Sequence, residues 1–168
     1  MRLLPLMLLS LACGGSSGPG KFMGSVLGNS FTVKETLLVA NSEIWLSDAT
    51  DLCGKLSSNK LPANGTILKL ALRPMATGEF TVTATGSQTQ TAGTTYLKLD
   101  ANCASTLPFQ GSVGTKGTVT VTRYVGSEVV DGTFDMTFGD SDAVTGSFSG
   151  KYCNTATSYP SAECVASQ

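Results

Sequence analysis

Apolar and polar residues alternate with a period of two along most of this chain. Phe80, Val82 and Ala84 alternate with Thr81, Thr83 and Thr85; Val119 and Val121 with Thr118, Thr120 and Thr122; Phe134, Met136 and Phe138 with Thr133, Asp135 and Thr137. The pattern continues through Val144, Gly146, Phe148, Gly150 and Tyr152, set against Thr145, Ser147, Ser149 and Lys151. Successive side chains on a strand point to opposite faces, so each set turns one face to a core and the other to water. Further strands are predicted at Phe22–Leu27, Phe31–Ala40, Glu43–Ser47, Thr66–Leu72 and Thr94–Ala101. Asp131-Gly132 and Gly139-Asp140-Ser141-Asp142 are turn-forming sequences. Residues 117–153 therefore read as a three-stranded antiparallel meander. Helical character is confined to Asp48–Asn59, where Asp48 or Thr50 could cap a turn carrying Leu52, Cys53 and Leu56.

About eight or nine short strands at this spacing predict an all-β fold. The expected architecture is an antiparallel β-sandwich with one short helical turn near residues 50–58. A small closed β-barrel is the alternative, because Gly146 and Gly150 sit on the face that would turn inward, where glycine relieves crowding as a sheet bends sharply.

The N-terminus follows a different logic. One positive charge at Arg2 is followed by an apolar stretch, Leu3 to Leu11, and by the small residue Ala12. That order is what a secretory signal peptide requires, and the stretch is about half the roughly twenty residues a spanning helix needs. Leu9-Ser10-Leu11-Ala12-Cys13 resembles the lipobox of bacterial lipoproteins, with Ser at a position where Leu is commonest. The resemblance implies that residues 1–12 are removed and that Cys13 is lipidated as the mature N-terminus. It also implies a bacterial cell envelope, and, with Gly14 after the Cys, the outer membrane. An ordinary signal peptide cut at Ala12, with Cys13 an incidental thiol, is the plainer reading. Residues 13–20 are Gly, Ser and Pro after the Cys and read as a flexible tether, leaving 21–168 as a single β domain.

Composition agrees with an exported domain. The chain has 11 Lys plus Arg against 12 Asp plus Glu, and loss of Arg2 makes it slightly more acidic. No basic patch stands out, so nucleic acid is not an expected partner; the expected attachment is to the membrane through lipid, with an unknown protein or glycan partner. Beyond Cys13 lie Cys53, Cys103, Cys153 and Cys164. An even number in an exported chain predicts two disulfides. Cys153 and Cys164 bracket a short loop, which suggests Cys153–Cys164 with Cys53–Cys103, although spacing alone leaves all three pairings open. No Cys-x-x-Cys pair is present to suggest zinc.

The chain has no His, which removes the commonest nucleophilic triads and proton shuttle. Ser57-Ser58-Asn59-Lys60 matches Ser-x-x-Lys, but the Lys-Thr-Gly that accompanies that motif in penicillin-binding folds is missing. Gly146-Ser147-Phe148-Ser149-Gly150 has Phe where a nucleophile elbow needs Ser. Asp140 and Asp142, on a predicted hairpin tip, are calcium candidates set against a solvated turn that caps its own backbone; Asp48 and Asp51 flank the helical turn. The Thr rows 81/83/85 and 118/120/122 are either a hydroxyl surface for glycan or the ordinary solvent face of two strands. Trp45 faces opposite to Ile44 and Leu46, as an exposed anchor or as a buried indole with its N–H satisfied.

Gly132 to Phe138 and Thr145 to Cys153, with Leu46-Ser47-Asp48 and Leu52-Cys53 upstream, resemble a group of uncharacterised myxobacterial-type lipoproteins over about half of the mature chain. The shared residues are structural, and the resemblance implies fold and compartment with no activity. The expectation is a non-enzymatic envelope lipoprotein without a cofactor, acting by binding or as a structural module. The alternatives are a small-ligand carrier with a barrel cavity and a carboxylate-based envelope hydrolase.

Overall fold

The protein is represented by a computed structural model that describes residues 18–109 and 112–154, together with the backbone of 163–166. Among these residues the strands are β1 (Gly20–Gly24), β2 (Glu35–Val39), β3 (Glu43–Ser47), β4 (Lys60–Ala63), β5 (Thr66–Arg73), β6 (Gly78–Val82), β7 (Thr91–Lys98), β8 (Gly114–Val125), β9 (Val129–Phe138), β10 (Asp142–Cys153) and β11 (Glu163–Ala166). A single helix, α1 (Leu52–Ser57), follows β3. The predicted meander is β8–β9–β10, paired antiparallel from Gly114↔Phe138 to Lys151↔Val129.

The strands do not divide into two sheets. They run in the order β10-β2-β3-β5-β7-β6-β8-β9, and β9 returns to β10, closing an eight-stranded barrel. Of the two expected architectures, the closed barrel is the one that forms, and the sandwich is not. Closure is completed by a short parallel pairing, in which Lys151, Tyr152 and Cys153 lie beside Leu37, Leu38 and Val39. The extra strand β1 covers the same side of β10 nearer its start, from Gly20↔Phe148 to Gly24↔Val144. The final residues of the expected 13–20 tether are thus docked: the Pro19 carbonyl accepts hydrogen bonds from Ser149 N and Thr36 Oγ1.

Every barrel strand sends apolar side chains inward. Leu38, Ile44, Leu46, Leu68, Leu70, Leu72, Phe80, Val82, Val119, Val121, Phe134, Met136, Val144 and Phe148 form one buried cluster. Eight strands enclose a space just wide enough to be filled by side chains or to hold one small ligand. Two inward glycines make the packing possible. Gly132 faces Phe148 and Gly146 faces Phe134, and a Cβ on either would collide with that ring and with a neighbouring backbone carbonyl.

A second core lies outside the barrel wall. The alternation that sends Ile44 and Leu46 inward sends Trp45 outward, where it is buried with Leu37, Val39, Leu52, Leu56, Leu61, Ile67 and Leu99. The helix and β4 belong to this layer, and β4, which the hydropathy pattern does not signal, is extended by parallel backbone pairing with β11. Each fully buried Leu or Ile there contributes about 2 kcal/mol. Asp51 is the N-cap of α1 but makes no side-chain cap bond. Neither expected cap serves: the Leu52 N–H is satisfied by Glu35 Oε2 at 2.8 Å, and Asp48 Oδ1 accepts from Thr66 N at 2.7 Å.

The disulfide pairing differs from the expected one. Cys53 of α1 is bonded to Cys153 at the end of β10, with Cα atoms 5.6 Å apart and 100 residues between them in sequence. That overturns both Cys53–Cys103 and Cys153–Cys164. The reason is topological: barrel closure carries the end of β10 to β2, beside α1, so two cysteines distant in sequence meet. Cys103 is also disulfide-bonded, with its Sγ 3.4 Å from the Leu61 carbonyl oxygen. In the backbone register Cys164 is the residue opposite Leu61.

Non-reducing peptide mapping is expected to recover a Cys53–Cys153 cross-linked peptide. A Cys53→Ala, Cys153→Ala double variant is expected to lose roughly 3–5 kcal/mol of unfolding free energy in urea titrations, because the bond closes a loop of about 100 residues. Gly132→Ala is expected to cost about 2 kcal/mol or more by the same measurement, since neither the Phe148 ring nor the backbone can move away.

Candidate functional site at the capped end of the barrel

The two ends of the barrel are closed by different means. At one end the β2–β3 turn meets the β8–β9 turn: Asn41 Nδ2 donates to Ser127 Oγ at 3.2 Å, and Ser127 N donates to Asn41 Oδ1 at 3.1 Å. This is a reciprocal clasp between two tight turns.

The opposite end is covered by residues 25–34, which connect β1 to β2. Val26 and Val33 are buried in the interior cluster and Phe31 packs against it. The cap is thin in backbone hydrogen bonds. Val26 and Asn29 bond each other across a small turn, and Lys34 N donates to the Ser47 carbonyl at 2.8 Å. Two polar side chains of the barrel rim hold the rest. Asp142 Oδ2 accepts from Leu27 N at 2.7 Å, and Lys98 Nζ donates to Asn29 Oδ1 at 2.6 Å. Leu27 itself is exposed at 41%.

Beneath the cap lies an aromatic cluster drawn from four parts of the chain. The Phe22 ring of β1 is 4.7 Å from Phe31 of the cap, 5.8 Å from Tyr96 of β7 and 6.3 Å from Phe134 of β9. Tyr96 also sits 5.9 Å from Phe31 and 6.3 Å from Phe138, with the rings edge-on in both cases. The hydrophobic periodicity of β7 places Ala92, Thr94 and Tyr96 on the inward face. Thr94 is 1% exposed and Tyr96 is 0% exposed. Neither Thr94 Oγ1 nor Tyr96 Oη has a hydrogen-bond partner among the described residues. Buried hydroxyls nearly always find partners, and each orphan costs about 1–3 kcal/mol. Gly114 backs onto Thr94, and a Cβ there would strike Oγ1. Burial, and secondarily the Asp48 carboxylate, push the Tyr96 phenol well above its ordinary range. It is a neutral donor at any physiological pH, not a base or nucleophile.

A groove of about 490 Å³ opens beside the cap, lined by Leu27, Thr115, Phe138, Gly139, Asp140, Ser141 and Asp142. The calcium candidates Asp140 and Asp142 therefore reach this end, with Asp142 engaged in holding the cap. Among the described residues no three His, Cys, Asp or Glu side chains converge as a metal site.

The other candidates fall elsewhere. Trp45 is buried at 1% exposure, and its Nε1 donates to Glu43 Oε2 at 2.9 Å. Glu43 Oε1 is paired with Lys69 Nζ at 2.8 Å, and that ammonium lies 5.6 Å from the indole centroid. The Trp45 side chain is a structural element of the outer core, not an exposed anchor. A groove of about 550 Å³ beyond it is lined by Asn41, Ser42, Glu43, Arg73, Pro74 and Met75 among others. Ser57 ends α1 and Lys60 begins β4. The Thr118 and Thr120 row lies on the outer wall beside Thr81 and Thr133. Cys13 and the leader lie outside the described residues. Among the described residues no helix is long and apolar enough to cross a membrane. Tyr96 and Thr94 were invisible as site residues in the sequence, where they read as ordinary strand positions; only their burial without partners marks them.

No family model, no curated protein and no solved structure matches this chain.

Because the folded protein keeps the Tyr96 phenol protonated while the unfolded chain releases its proton near the ordinary pKa of about 10, native stability falls as pH rises above that value. Denaturant titrations between about pH 9 and 11 are expected to show a steeper loss in wild type than in Tyr96→Phe, by up to about 1.4 kcal/mol per pH unit above 10.

Proposed function

We propose that this chain is a lipid-anchored, non-enzymatic protein of the bacterial envelope that carries a small, largely apolar ligand in the capped end of its barrel. One observation carries the reading: two fully buried hydroxyls, Thr94 and Tyr96, lie on the inward face of β7 with no partner among the described residues. Groups left in this way mark a place where a ligand supplies what the protein does not. An eight-stranded barrel has the width for one such molecule.

The Cys53–Cys153 bond supports an oxidising compartment outside the cytoplasm, where disulfides persist. The lipobox supports the anchor at Cys13. Between Cys13 and Gly18, where the described structure starts, five residues reach at most about 18 Å, so a lipidated chain holds the barrel close to the membrane. A binding role suits two neutral hydroxyls, one of them a phenol that burial keeps from ionising.

Metabolic labelling with an alkyne-bearing fatty acid is expected to mark the wild-type protein and to leave Cys13→Ser unmarked; incorporation that persists in the variant refutes the anchor. Organic extraction of protein purified from native envelopes is expected to release a small molecule in about one-to-one amount. An empty extract, together with unchanged stability on adding envelope lipid extract, refutes the carrier.

A further inference from the structure

We infer that residues 25–34 are a displaceable lid that occupies the ligand's place when the barrel is empty, and that the ligand is an electrically neutral, apolar molecule bearing a carbonyl acceptor for Tyr96 and Thr94. The inference rests on the carrier reading above and adds to it the mode of entry and the chemical class.

The lid argument starts from what the cap contributes. Val26, Phe31 and Val33 fill the barrel end with apolar side chains, yet none brings a polar atom to the two hydroxyls behind them. A segment selected only to plug the barrel would have satisfied those groups or faced apolar residues. The cap is also held by few backbone hydrogen bonds among the described residues. From Ser30 to Val33 it makes no backbone–backbone hydrogen bond among the described residues. Its attachments are the Asp142 and Lys98 contacts at the rim and the single bond from Lys34. Segments with so few backbone bonds open locally at a small fraction of the global unfolding free energy. Lifting the cap withdraws Val26, Phe31 and Val33 and leaves the walls Phe22, Tyr96, Phe134 and Phe138, an aromatic slot, with Thr94 two residues from Tyr96 on the same inward face of β7.

The ligand class follows from those walls. Aromatic rings favour a planar or elongated apolar body. A buried phenol is a better hydrogen-bond donor than acceptor, so the polar atom it faces is an acceptor. An anionic head is disfavoured: the Asp48 carboxylate already acts on the phenol, and Asp140 and Asp142 line the groove beside the entrance. The Lys98 ammonium at the same rim is engaged by Asn29 Oδ1 at 2.6 Å. A ketone, ester or amide carbonyl meets all these conditions, and a free fatty acid does not.

The test uses the naphthyl ketone prodan, whose emission reports both polarity and hydrogen bonding to its carbonyl, beside the anionic anilinonaphthalene sulfonate. Wild type is expected to bind prodan saturably with blue-shifted emission and to bind the sulfonate at least tenfold more weakly. Tyr96→Phe and Thr94→Val are each expected to weaken prodan about five- to tenfold, the worth of one hydrogen bond. The same two variants are expected to raise the melting temperature of the empty protein, because each removes an orphaned polar atom. A purely structural pair of hydroxyls would change stability and leave binding alone. Loosening the lid with Asp142→Ala and Lys98→Met is expected to tighten prodan binding severalfold by raising the open population. Prodan affinity that is indifferent to Tyr96→Phe and Thr94→Val overturns the carbonyl assignment. Tighter sulfonate than prodan binding overturns the neutral class while leaving the carrier reading intact. Unchanged affinity in the loosened variant overturns the lid. Absence of saturable binding for both dyes, in wild type and loosened variant alike, overturns the inference, and the native extract then decides the carrier reading separately.

Discussion

The short parallel contact between β10 and β2 is what makes this molecule a barrel. Without Lys151–Cys153 against Leu37–Val39, the curved sheet would end in two open edges, one on β2 and one on the end of β10 beyond β1. Open edges are templates for pairing with other chains, and closure removes them. Three residue pairs are a small interface for that task, and the structure reinforces it from both sides. Inside, Phe148 and Phe134 nest over Gly132 and Gly146, drawing β9 and β10 into tight curvature. Outside, the Cys53–Cys153 bond ties the end of β10 to the helix that packs on β2 and β3. The seam, the outer core and the covalent staple are one device.

Closure also makes the two barrel ends unequal. One is shut by a reciprocal Asn41–Ser127 clasp between neighbouring turns, a contact local to the strands it joins. The other is shut by ten residues of chain crossing the opening with few backbone bonds of their own. Stability in a folded domain is uneven, and binding segments come from its less stable parts. The unsatisfied hydroxyls of Thr94 and Tyr96 sit under that weaker closure. Their desolvation is a cost the fold carries in a largely apolar barrel interior.

Much of this was legible in the residues. The period-two alternation marked the meander and most barrel strands, because a half-buried strand has no other way to divide its side chains. The same alternation placed Ile44 and Leu46 on one face and Trp45 on the other. It did not say that both faces would be buried, which depends on α1 and β4 arriving from elsewhere in the chain. Phe31–Ala40 read as one strand, whereas only Glu35–Val39 pairs and Phe31 to Lys34 belong to the cap. Apolar residues that plug an opening obey the same hydropathy as those that line a wall.

By itself, then, the sequence determined an all-β domain: strand periodicity and turn residues are local signals, written in neighbouring positions. Tertiary structure alone decided barrel over sandwich, the Cys53–Cys153 partnership and the two orphaned hydroxyls. Each depends on which distant segments meet, and that is set by the curvature of the whole sheet. Local patterning constrains which way a side chain faces; only closure determines what stands opposite it.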